Sequence, residues 1–419
     1  MFTLLTMLSI LFFVIICILR LELAYVIFLF LLPTYLIRYD FFGVPTTYLE
    51  LIFVPLALMS FVILRHEIKQ RILEHIHNQK FILIGIILLF LGAVIGVFYS
   101  PDIRPALGHL KAFFIEPIIF YILILSAWSK FPKLKNLTIY SLLLAALITA
   151  ILAIFQHFTG WMVPWDFWQN RNTYRVTGFW GYPNGVGLFI APLALLTFSI
   201  FQNNSKKYFF YTIVLIISTL ACLYAKSTGA LIAITSGVLI FCLSFKKLRL
   251  PLLIGVAIAG LFILLSPQTK SIRDEMLLND YSGSLRLNIW GETTALLSNH
   301  PIIGSGLAGY KTMIRPYRID KWVEVFEHPH NLWLSIWVNA GLTGFLGLTL
   351  ITLSVLNSIW QALKKNNQTM TAACTPMIAI FVFGLVDTPY LKNDSVFIFI
   401  FALALITSLC LDMKNKTTG

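Results

Sequence analysis

Two histidines and an asparagine at the edge of an apolar segment are the residues of this chain best suited to chemistry. They are His328, His330 and Asn331, in the stretch Glu327–Gly344 that follows a long polar loop. Asn is a good N-cap and the next residues are apolar, so a helix is predicted to begin at Asn331. The positive end of that helix would disfavour the protonated form of His330, and a neutral imidazole is a competent general base. The N–H groups of its first turn would suit a phosphate oxygen.

The same residue types also have a purely structural interpretation. His, Trp and Asn are common at membrane borders, where they sit between water and hydrocarbon. Residue type alone leaves both interpretations open, so the composition, the charge pattern and the remaining motifs of the chain must decide between them.

The composition is that of an integral membrane protein. Of the 419 residues, 58% are hydrophobic and 12% are charged, and the mean hydropathy is +0.84, whereas a soluble domain carries about 25% charge. Many apolar runs of spanning length indicate an all-α polytopic bundle rather than a barrel. Much of the formal net charge of +13 lies in short clusters between these runs. We interpret it first as topology information and second as affinity for anionic lipid or pyrophosphate, with no role for nucleic acid.

No metal site or cofactor is predicted. The five cysteines lie within or at the ends of apolar runs and form no Cys-x-x-Cys or Cys/His pattern, so neither zinc nor a disulfide framework is supported. No Asp-x-Asp pair on the external loops and no glycine-rich nucleotide motif is visible in the sequence.

Thirteen apolar runs are of spanning length or nearly so, and Arg20–Glu22 alone separates the first two, so we expect about 12 spans (12 or 13). No small-residue cleavage site follows the first run, which is expected to remain as a span. This division predicts N-terminal transmembrane helices over 1–265, one large loop over 266–330 and C-terminal transmembrane helices over 331–419. The runs are 2–19, 22–37, 48–64, 81–99, 113–128, 137–156, 183–201, 208–224, 229–245, 250–265, 331–356, 371–386 and 396–411.

Basic residues orient these spans. Clusters of them fall on alternate connections, which the positive-inside rule assigns to the cytoplasm. The remaining connections, including the large loop, are then external, and the candidate histidines lie on the external side of the membrane. The clusters are Arg65/Lys69/Arg71/Lys80, Lys130/Lys133/Lys135, Lys206/Lys207, Lys246/Lys247/Arg249, Lys364/Lys365 and Lys414/Lys416.

The external connections also carry basic residues, which run against this rule and so require another explanation. Arg175, Lys226, Arg286 and Lys392 are among them, and the acidic Asp387 precedes Lys392. Each alone is explained as a solvated or snorkelling charge. Several of them converging on one site would bind a polyanionic headgroup.

The loop over 266–330 is too long to be structureless without a purpose. Within it, Ser284–Asn299 has the pattern of an amphipathic helix, with Arg286 near its start and Glu292 on its polar face. Such a helix is expected to lie on the outer leaflet as a lid. Its apolar stripe consists of Leu285, Ile289, Leu296 and Leu297.

One motif joins the candidate histidine to two glycines. His330-Asn331 is followed by nine residues and then by Gly341-Leu-Thr-Gly344. In this the chain resembles the O-antigen ligase and O-antigen polymerase superfamily of membrane glycosyltransferases. Ligases of that family carry a His followed by Asn, Ser or Gln, nine arbitrary residues and Gly-x-x-Gly at the end of the large periplasmic loop. The pattern is complete here and lies at the corresponding place.

Three further stretches carry the resemblance, which covers roughly residues 40–410. Arg175 opens a stretch that ends in Pro-Asn before an apolar run, like the Arg-x-x-Gly…Pro-Asn of the family. Arg286 and Trp290 match its Arg…Trp helix before a glycine turn. The stretch Val386–Asp394 is similar to the C-terminal loop of some members.

One stretch departs from the family. Many members have Ser-Arg-Gly-Ala after a span, whereas here Lys226 precedes Ser-Thr-Gly-Ala, with Thr228 where Arg is usual. Lys226 would supply the positive charge of the missing arginine from two residues earlier. Its compact ammonium, however, cannot form the paired, bidentate hydrogen bonds of a guanidinium. Whether the two cations are equivalent is therefore left open by the sequence.

The resemblance implies transfer of a glycan from a polyprenyl-pyrophosphate carrier to an acceptor on the outer side of the inner membrane, with no nucleotide sugar, metal or cofactor. Arginines would hold the pyrophosphate, with Arg175 and Arg286 as the best candidates and Lys226 as a third. His330 would take the acceptor proton, and direct displacement would invert the anomeric carbon.

Supporting residues are expected around this centre. Gly341 and Gly344 would let the His330 helix pack closely on a neighbour. A single external base with no partner carboxylate at fixed spacing argues against a two-carboxylate glycosidase mechanism. The other supporting candidates are Asn184, His328, Asn331, Asp387 and Lys392.

The sequence leaves alternatives to a ligase. Within the superfamily, ligases transfer glycan to a lipid core, polymerases to another growing glycan, and relatives to protein Ser or Thr; the complete His330 motif favours a ligase. In a different class, a polytopic transporter or flippase would place ionisable residues at mid-span and across internal repeats. Few mid-span charges are present, Glu50 and Glu116 being the notable ones, and no clear internal repeat is visible.

Overall fold

Helices make up most of the described structure. The computed structural model describes residues 2–41, 44–164, 174–201, 208–319 and 321–418, so Lys206 and Lys207 of one predicted cytoplasmic cluster lie outside the described residues. In the first half of the chain the helices are α1 (Phe2–Leu19), α2 (Leu21–Phe30), α3 (Tyr48–Ile63), α4 (Arg65–Asn78), α5 (Lys80–Phe98), α6 (Ile103–Leu110), α7 (Glu116–Lys130), α8 (Leu134–Thr159) and α9 (Pro183–Leu195).

The second half continues in the same way around the large loop. Its longest helix, α17, follows directly on the His330 motif. The helices are α10 (Thr197–Phe201), α11 (Tyr208–Tyr224), α12 (Thr228–Leu243), α13 (Lys246–Leu265), α14 (Lys270–Met276), α15 (Tyr281–Asn299), α16 (Tyr310–Met313), α17 (Leu332–Lys365), α18 (Gln368–Gly384) and α19 (Asn393–Thr418).

The apolar runs of the sequence coincide with helices. Among the described residues, seven helical segments are long and apolar enough to cross a membrane, and α3 with α4 forms a further pair bent by 88°. Shorter apolar helices occupy the other runs. An all-α membrane protein is thereby confirmed, whereas the number of 12 or 13 spans and the periplasmic side of the large loop stay predictions.

The second apolar run, 22–37, is a helix only as far as Phe30. A 3₁₀ turn over Leu32–Leu36 follows, with Pro33 near its start, because proline has no N–H to continue an α-helix. The chain then forms an antiparallel hairpin of β1 (Arg38–Phe41) and β2 (Val44–Thr47). Thr47 and Glu50 form a capping box at the N-terminus of α3. Glu50, noted from the sequence as a mid-span charge, therefore lies in the first turn of a helix.

α5 and α17 pack backbone against backbone. A Cβ atom added to Gly92 of α5 would lie 2.4 Å from the amide nitrogen of Gly344, and one added to Gly347 would lie 2.5 Å from the amide nitrogen of Leu89. Approaches this close need glycine at the contact, because any side chain would hold the helices apart. Gly344, on the helix that follows His330, thus lies at a close contact with α5 of the kind expected from the sequence.

Gly341 has a different role from close helix packing. Its φ of 63° and ψ of −171° interrupt α17. The N–H of Leu342 donates to the carbonyl of Ile302 in the large loop at 2.8 Å, and a Cβ at Gly341 would lie 2.4 Å from that oxygen. Glycine is required because it tolerates both the positive φ and the close approach. The expected contact with a neighbouring helix is therefore replaced by a contact with the loop backbone.

The predicted amphipathic helix of the large loop is present as α15. It begins at Tyr281, earlier than expected, because the Asp280 carboxylate accepts the N–H groups of the first turn. Its apolar face packs on α17 within a small second core, so protein contacts hold it in place. That core consists of Leu296, Leu297, Tyr310, Ile314 and Val338.

Glu292 lies on the buried side of α15, and its predicted place on the polar face was wrong. Its carboxylate lies 3.2 Å from Nε of Arg318 and accepts the N–H of Ile319 at 2.8 Å. The two charged side chains are only 4% and 9% exposed. The helical pattern of polar residues could not predict this position, because a glutamate buried in an ion pair and a solvated glutamate look the same in the sequence. The pair fastens the end of the loop to α15.

Candidate active site

His330 lies where the large loop meets α17, beside the loop between α18 and α19. Its φ of 50° is in the left-handed region, which a non-glycine residue keeps only when surrounding contacts hold it there. Nδ1 lies 3.4 Å from Oδ1 of Asp387, and the ring meets Phe326 edge to face at 4.9 Å. With 30% of its side chain exposed, the imidazole is oriented by the protein yet open to a substrate.

Asn331 confirms the predicted helix start. Its side-chain oxygen accepts the N–H of Leu334 at 3.0 Å, which makes it the N-cap of α17. Its side-chain amide also donates to the carbonyl of Leu385 at 3.0 Å. One side chain therefore begins the helix and ties it to the loop that carries Asp387.

Asp387 is the buried centre of the site. It is 4% exposed, and its Oδ1 accepts the N–H of Thr388 at 2.8 Å. Burial favours the neutral acid, but the hydrogen bond and charge of His330 and the charge of Lys392 outweigh it and hold the pKa of Asp387 far below its ordinary value. The carboxylate is thus ionised wherever the protein is folded at ordinary pH.

Asn184 bridges this carboxylate to an arginine. Its amide donates to Oδ2 of Asp387 at 2.9 Å, and its side-chain oxygen accepts from Nη2 of Arg175 at 3.3 Å. Asn184 lies in the first turn of α9. The predicted site residues His330, Asp387, Asn184 and Arg175 are therefore linked by three successive contacts.

Arg175 is held against the turn between α11 and α12. Nε donates to the carbonyl of Ala225 at 2.8 Å and Nη2 to that of Lys226 at 3.0 Å. Burial lowers the pKa of Arg175 to about 10, an effect that the charge of Glu275 opposes and that of Arg286 reinforces. The guanidinium remains charged at neutral pH, and it lies close enough to Arg286 for the charge of Arg286 to act on it.

Arg286 reaches the same loop as Asp387 from α15. Nε donates to the carbonyl of Val386 at 2.8 Å, and Nη1 donates to the backbone and hydroxyl oxygens of Ser282 at 3.3 and 2.8 Å. Among the described residues no partner engages Nη2. Because Nε and Nη1 are hydrogen-bonded to the protein while Nη2 is available, this guanidinium is well suited to bind an incoming anion.

Lys226 contributes through its backbone. Its φ of 46° is left-handed, and its carbonyl receives Arg175. Its side chain is exposed. The sequence suggested a charge that stands in for the family arginine, and the structure adds a carbonyl contact that positions Arg175.

His328 and Lys392 form a second flank of the site. Nδ1 of His328 is buried with no hydrogen-bond partner in the part of the chain that the structure describes. Burial, together with the charges of His109 and Lys392, lowers the pKa of His328 to about 3. Lys392 donates to the Tyr182 hydroxyl at 2.6 Å, and its Nζ lies 4.5 Å from the centre of that ring. His328 is therefore neutral beside a fixed cation.

Several contributors to the site were not identified from the sequence. Tyr182 lies inside the Arg175–Asn184 motif, so the motif itself contained the signal. His109 on α6 and Glu275 on α14 belong to no motif, and only the folded chain brings them near His328 and Arg175. Trp290, noted as part of a motif, donates to the carbonyl of Pro329 at 2.9 Å and so fixes the residue before His330.

The arrangement combines one imidazole, one ionised carboxylate and two guanidiniums. The carboxylate can orient the imidazole and stabilise its protonated form after it accepts a proton. The guanidiniums can bind a polyanion close by. Among the described residues no group of three or more His, Cys, Asp or Glu could hold a metal ion.

Comparison with known proteins agrees with the motifs. A family model described as O-Antigen ligase matches residues 213–349, which include Lys226, Arg286, His330, Gly341 and Gly344. An uncharacterized protein of Haemophilus influenzae is 24% identical over 314 residues, and the match covers 69% of this chain and 76% of that protein. A protein of Rickettsia conorii named "Putative polysaccharide ligase" is 24% identical over 201 residues, and the match covers 44% of this chain and 47% of that protein. The resemblance to the O-antigen ligases is thereby confirmed.

Proposed function

We propose that this chain, which is similar to the O-antigen ligases, is a membrane glycosyltransferase that moves a glycan from a polyprenyl-pyrophosphate carrier to an acceptor hydroxyl. The observation that carries the proposal is the series of contacts from His330 through Asp387 and Asn184 to Arg175. It joins a base to an anion-binding group, which is what a transfer with a pyrophosphate leaving group requires. The reaction would take place on the periplasmic face of the cytoplasmic membrane.

The donor pyrophosphate would bind between Arg175 and Arg286. Arg286 offers Nη2 while carbonyl and hydroxyl groups hold its other nitrogens, so the guanidinium is already in place before the anion arrives. α12 begins beside Arg175, and its N-cap residue Ser227 makes no side-chain cap. The N–H groups of its first turn add positive potential there. The isoprenoid tail would stay in the bilayer.

The acceptor would be deprotonated by His330. Nδ1 faces Asp387, which leaves Nε2 for the acceptor hydroxyl. The hydroxyl oxygen attacks the anomeric carbon as its proton passes to Nε2, and the bond from that carbon to the pyrophosphate oxygen breaks. The leaving group departs as polyprenyl pyrophosphate, its charge held by the guanidiniums. Attack opposite the leaving group inverts the anomeric centre.

The acceptor distinguishes a ligase from a polymerase. The complete His330-Asn331 motif, the O-antigen ligase family match over 213–349 and the name of the Rickettsia protein favour a ligase. Its partners would then be a polyprenyl-pyrophosphate-linked glycan, a lipid-linked or glycan acceptor and the bilayer. No metal or other cofactor is assigned to the reaction.

Reconstitution tests this function. Purified protein in proteoliposomes is supplied with a polyprenyl-pyrophosphate oligosaccharide and, in separate reactions, a lipid-core acceptor, a free glycan and a serine-containing peptide. Mass spectrometry is expected to find a new glycoside on the lipid core and released polyprenyl pyrophosphate, with no added metal. Polymer on the free glycan would favour a polymerase. Scrambling of the donor between leaflets with no product on any acceptor would refute glycosyl transfer and favour a flippase.

A further inference from the structure

A cavity with one polar and one apolar wall lies at the end of α17 opposite to His330. Its volume is about 750 Å³, and it is lined by the start of α5, the last turns of α17, the start of α18 and the C-terminal part of α19. Beyond its interruption at Gly341, α17 continues to Lys365, a stretch of about 36 Å at 1.5 Å per residue. The cavity therefore belongs to a different membrane surface from the candidate active site, and none of the residues assigned to glycan transfer lines it.

One wall of the cavity is a polar stripe on a helix that is otherwise mostly apolar. The hydroxyls of Ser354 and Ser358 donate back to carbonyls of their own helix. The side chains of Asn357 and Gln361 are exposed and have no hydrogen-bond partner among the described residues. These four residues recur at helical spacing on one face, and the two amides are available to a ligand.

The charge of the cavity is positive. Lys80 and Lys365 line it, and no Asp or Glu is among its lining residues. α5 begins at Lys80, and its N-cap residue Gln79 makes no side-chain cap, so the N–H groups of the first turn are available to an anion. The negative end of α17 is offset because Arg249 donates to the carbonyl of Leu363 and to Asn366.

The remaining wall is apolar. Phe81 and Leu353 are 55% and 57% exposed there, and Leu350 and Met413 also line the cavity. A small soluble anion would leave this surface uncovered, whereas an acyl chain would cover it. Positive charge and free amides beside an apolar wall at the end of membrane helices match one class of ligand, a phosphate-bearing lipid.

We propose that this cavity binds the headgroup of an anionic phospholipid, with the phosphate between Lys80 and Lys365 and an acyl chain along Phe81 and Leu353. Asn357 and Gln361 donate to headgroup oxygens. The predicted topology puts the site in the cytoplasmic leaflet. Near an anionic headgroup each lysine contributes about a fivefold increase in affinity. The cavity is separate from the candidate active site, so this proposal does not depend on the proposed glycan transfer.

Native mass spectrometry of the detergent-solubilised full chain tests the site with phosphatidylglycerol, phosphatidylcholine and inorganic phosphate as probes. The variant Lys80→Gln/Lys365→Gln is compared with Lys246→Gln/Lys247→Gln, which removes the same charge from exposed positions outside the cavity. We expect phosphatidylglycerol retention to fall about 25-fold in the first variant and to be unchanged in the second. Asn357→Leu/Gln361→Leu, which keeps both lysines, is expected to weaken retention as well.

Three results would overturn the proposal. Equal retention by the two lysine variants would show that the cavity does not hold the lipid. Equal binding of phosphatidylcholine and phosphatidylglycerol by the wild type would show that the anionic charge is not recognised. Binding of inorganic phosphate without retention of phosphatidylglycerol would make the occupant a soluble anion. Each variant must elute as the wild type does in size-exclusion chromatography, which shows that it is folded. If a lysine variant fails this control, the variant Asn357→Leu/Gln361→Leu still tests the site.

Discussion

The Nδ1 atom of His330 lies 3.4 Å from Oδ1 of Asp387, although 57 positions separate the two residues. The first precedes α17 and the second follows α18, so the pair forms only when these helices are packed. The carboxylate fixes the orientation of the ring by contacting Nδ1, and it leaves Nε2 free of that contact. Because Asp387 is ionised, it would also stabilise an imidazolium at His330, as the proposed role of His330 as base requires.

Asp387→Asn tests the carboxylate. The substitution keeps the size of the side chain and leaves an oxygen for the Asn184 amide, but it removes the negative charge beside His330. We expect kcat to fall by about 10²- to 10⁴-fold with donor binding largely retained. Transfer kinetics in proteoliposomes measure this. Wild-type kcat in a correctly folded variant would show that the carboxylate has no part in the reaction.

Arg286→Lys tests the geometry of the anion site. A lysine has a single side-chain nitrogen, which cannot occupy at once the positions of Nε beside Val386, of Nη1 beside Ser282 and of the available Nη2. Transfer is expected to fall about a hundredfold although the charge is kept. Arg315→Lys, at an exposed position of the same loop, serves as the control and should be unaffected. Equal activity of the two variants would refute a guanidinium-specific role.

His328 gives a prediction about stability and pH. Burial lowers its pKa from 6.5 to about 3, so between these values the unfolded chain binds a proton that the folded chain does not. Unfolding is therefore favoured as the pH falls below 6.5. This histidine should cost the wild type about 2 kcal/mol of stability between pH 8 and pH 5.

His328→Gln should remove that cost. The loss of Tm on going from pH 8 to pH 5 is expected to be smaller in this variant than in the wild type. His300→Gln, at an exposed position, should lose as much as the wild type. Identical losses in all three proteins would show that His328 is as easily protonated in the folded protein as in the unfolded chain.

Gly341→Ala tests the interruption of α17. The residue has a φ of 63°, and a Cβ there would lie 2.4 Å from the carbonyl oxygen of Ile302. The variant should be less stable by about 1–3 kcal/mol or more. Gly291→Ala on α15, where a Cβ meets nothing within 4 Å, should be neutral or slightly stabilising. Thermal unfolding in detergent compares the two, and equal Tm values would contradict this account of Gly341.

The helical class and several local features were predictable because they depend on short-range physics. Apolar runs predict membrane helices from length and hydropathy alone, and the N-cap at Asn331 follows from its side chain and the apolar residues after it. Close packing at Gly344 follows from the small size of glycine.

Other features could not be predicted because they depend on the tertiary structure. Glu292 is buried only because Arg318 reaches it from a later turn of the loop. Gly341 contacts a loop carbonyl, which no helical pattern specifies. The proximity of His109 to His328 likewise requires α6 to be packed beside the large loop, and residue type alone does not encode it.

The most direct test of the account is glycan transfer by His330→Ala, compared with the wild type and with His300→Ala at an exposed position of the same loop. All three proteins are reconstituted with the same polyprenyl-pyrophosphate oligosaccharide and acceptor. We expect His330→Ala to fold and to bind the donor as the wild type does but to form no product, while His300→Ala retains full activity. Product formation by His330→Ala at the wild-type rate would contradict the assignment of His330 as the base.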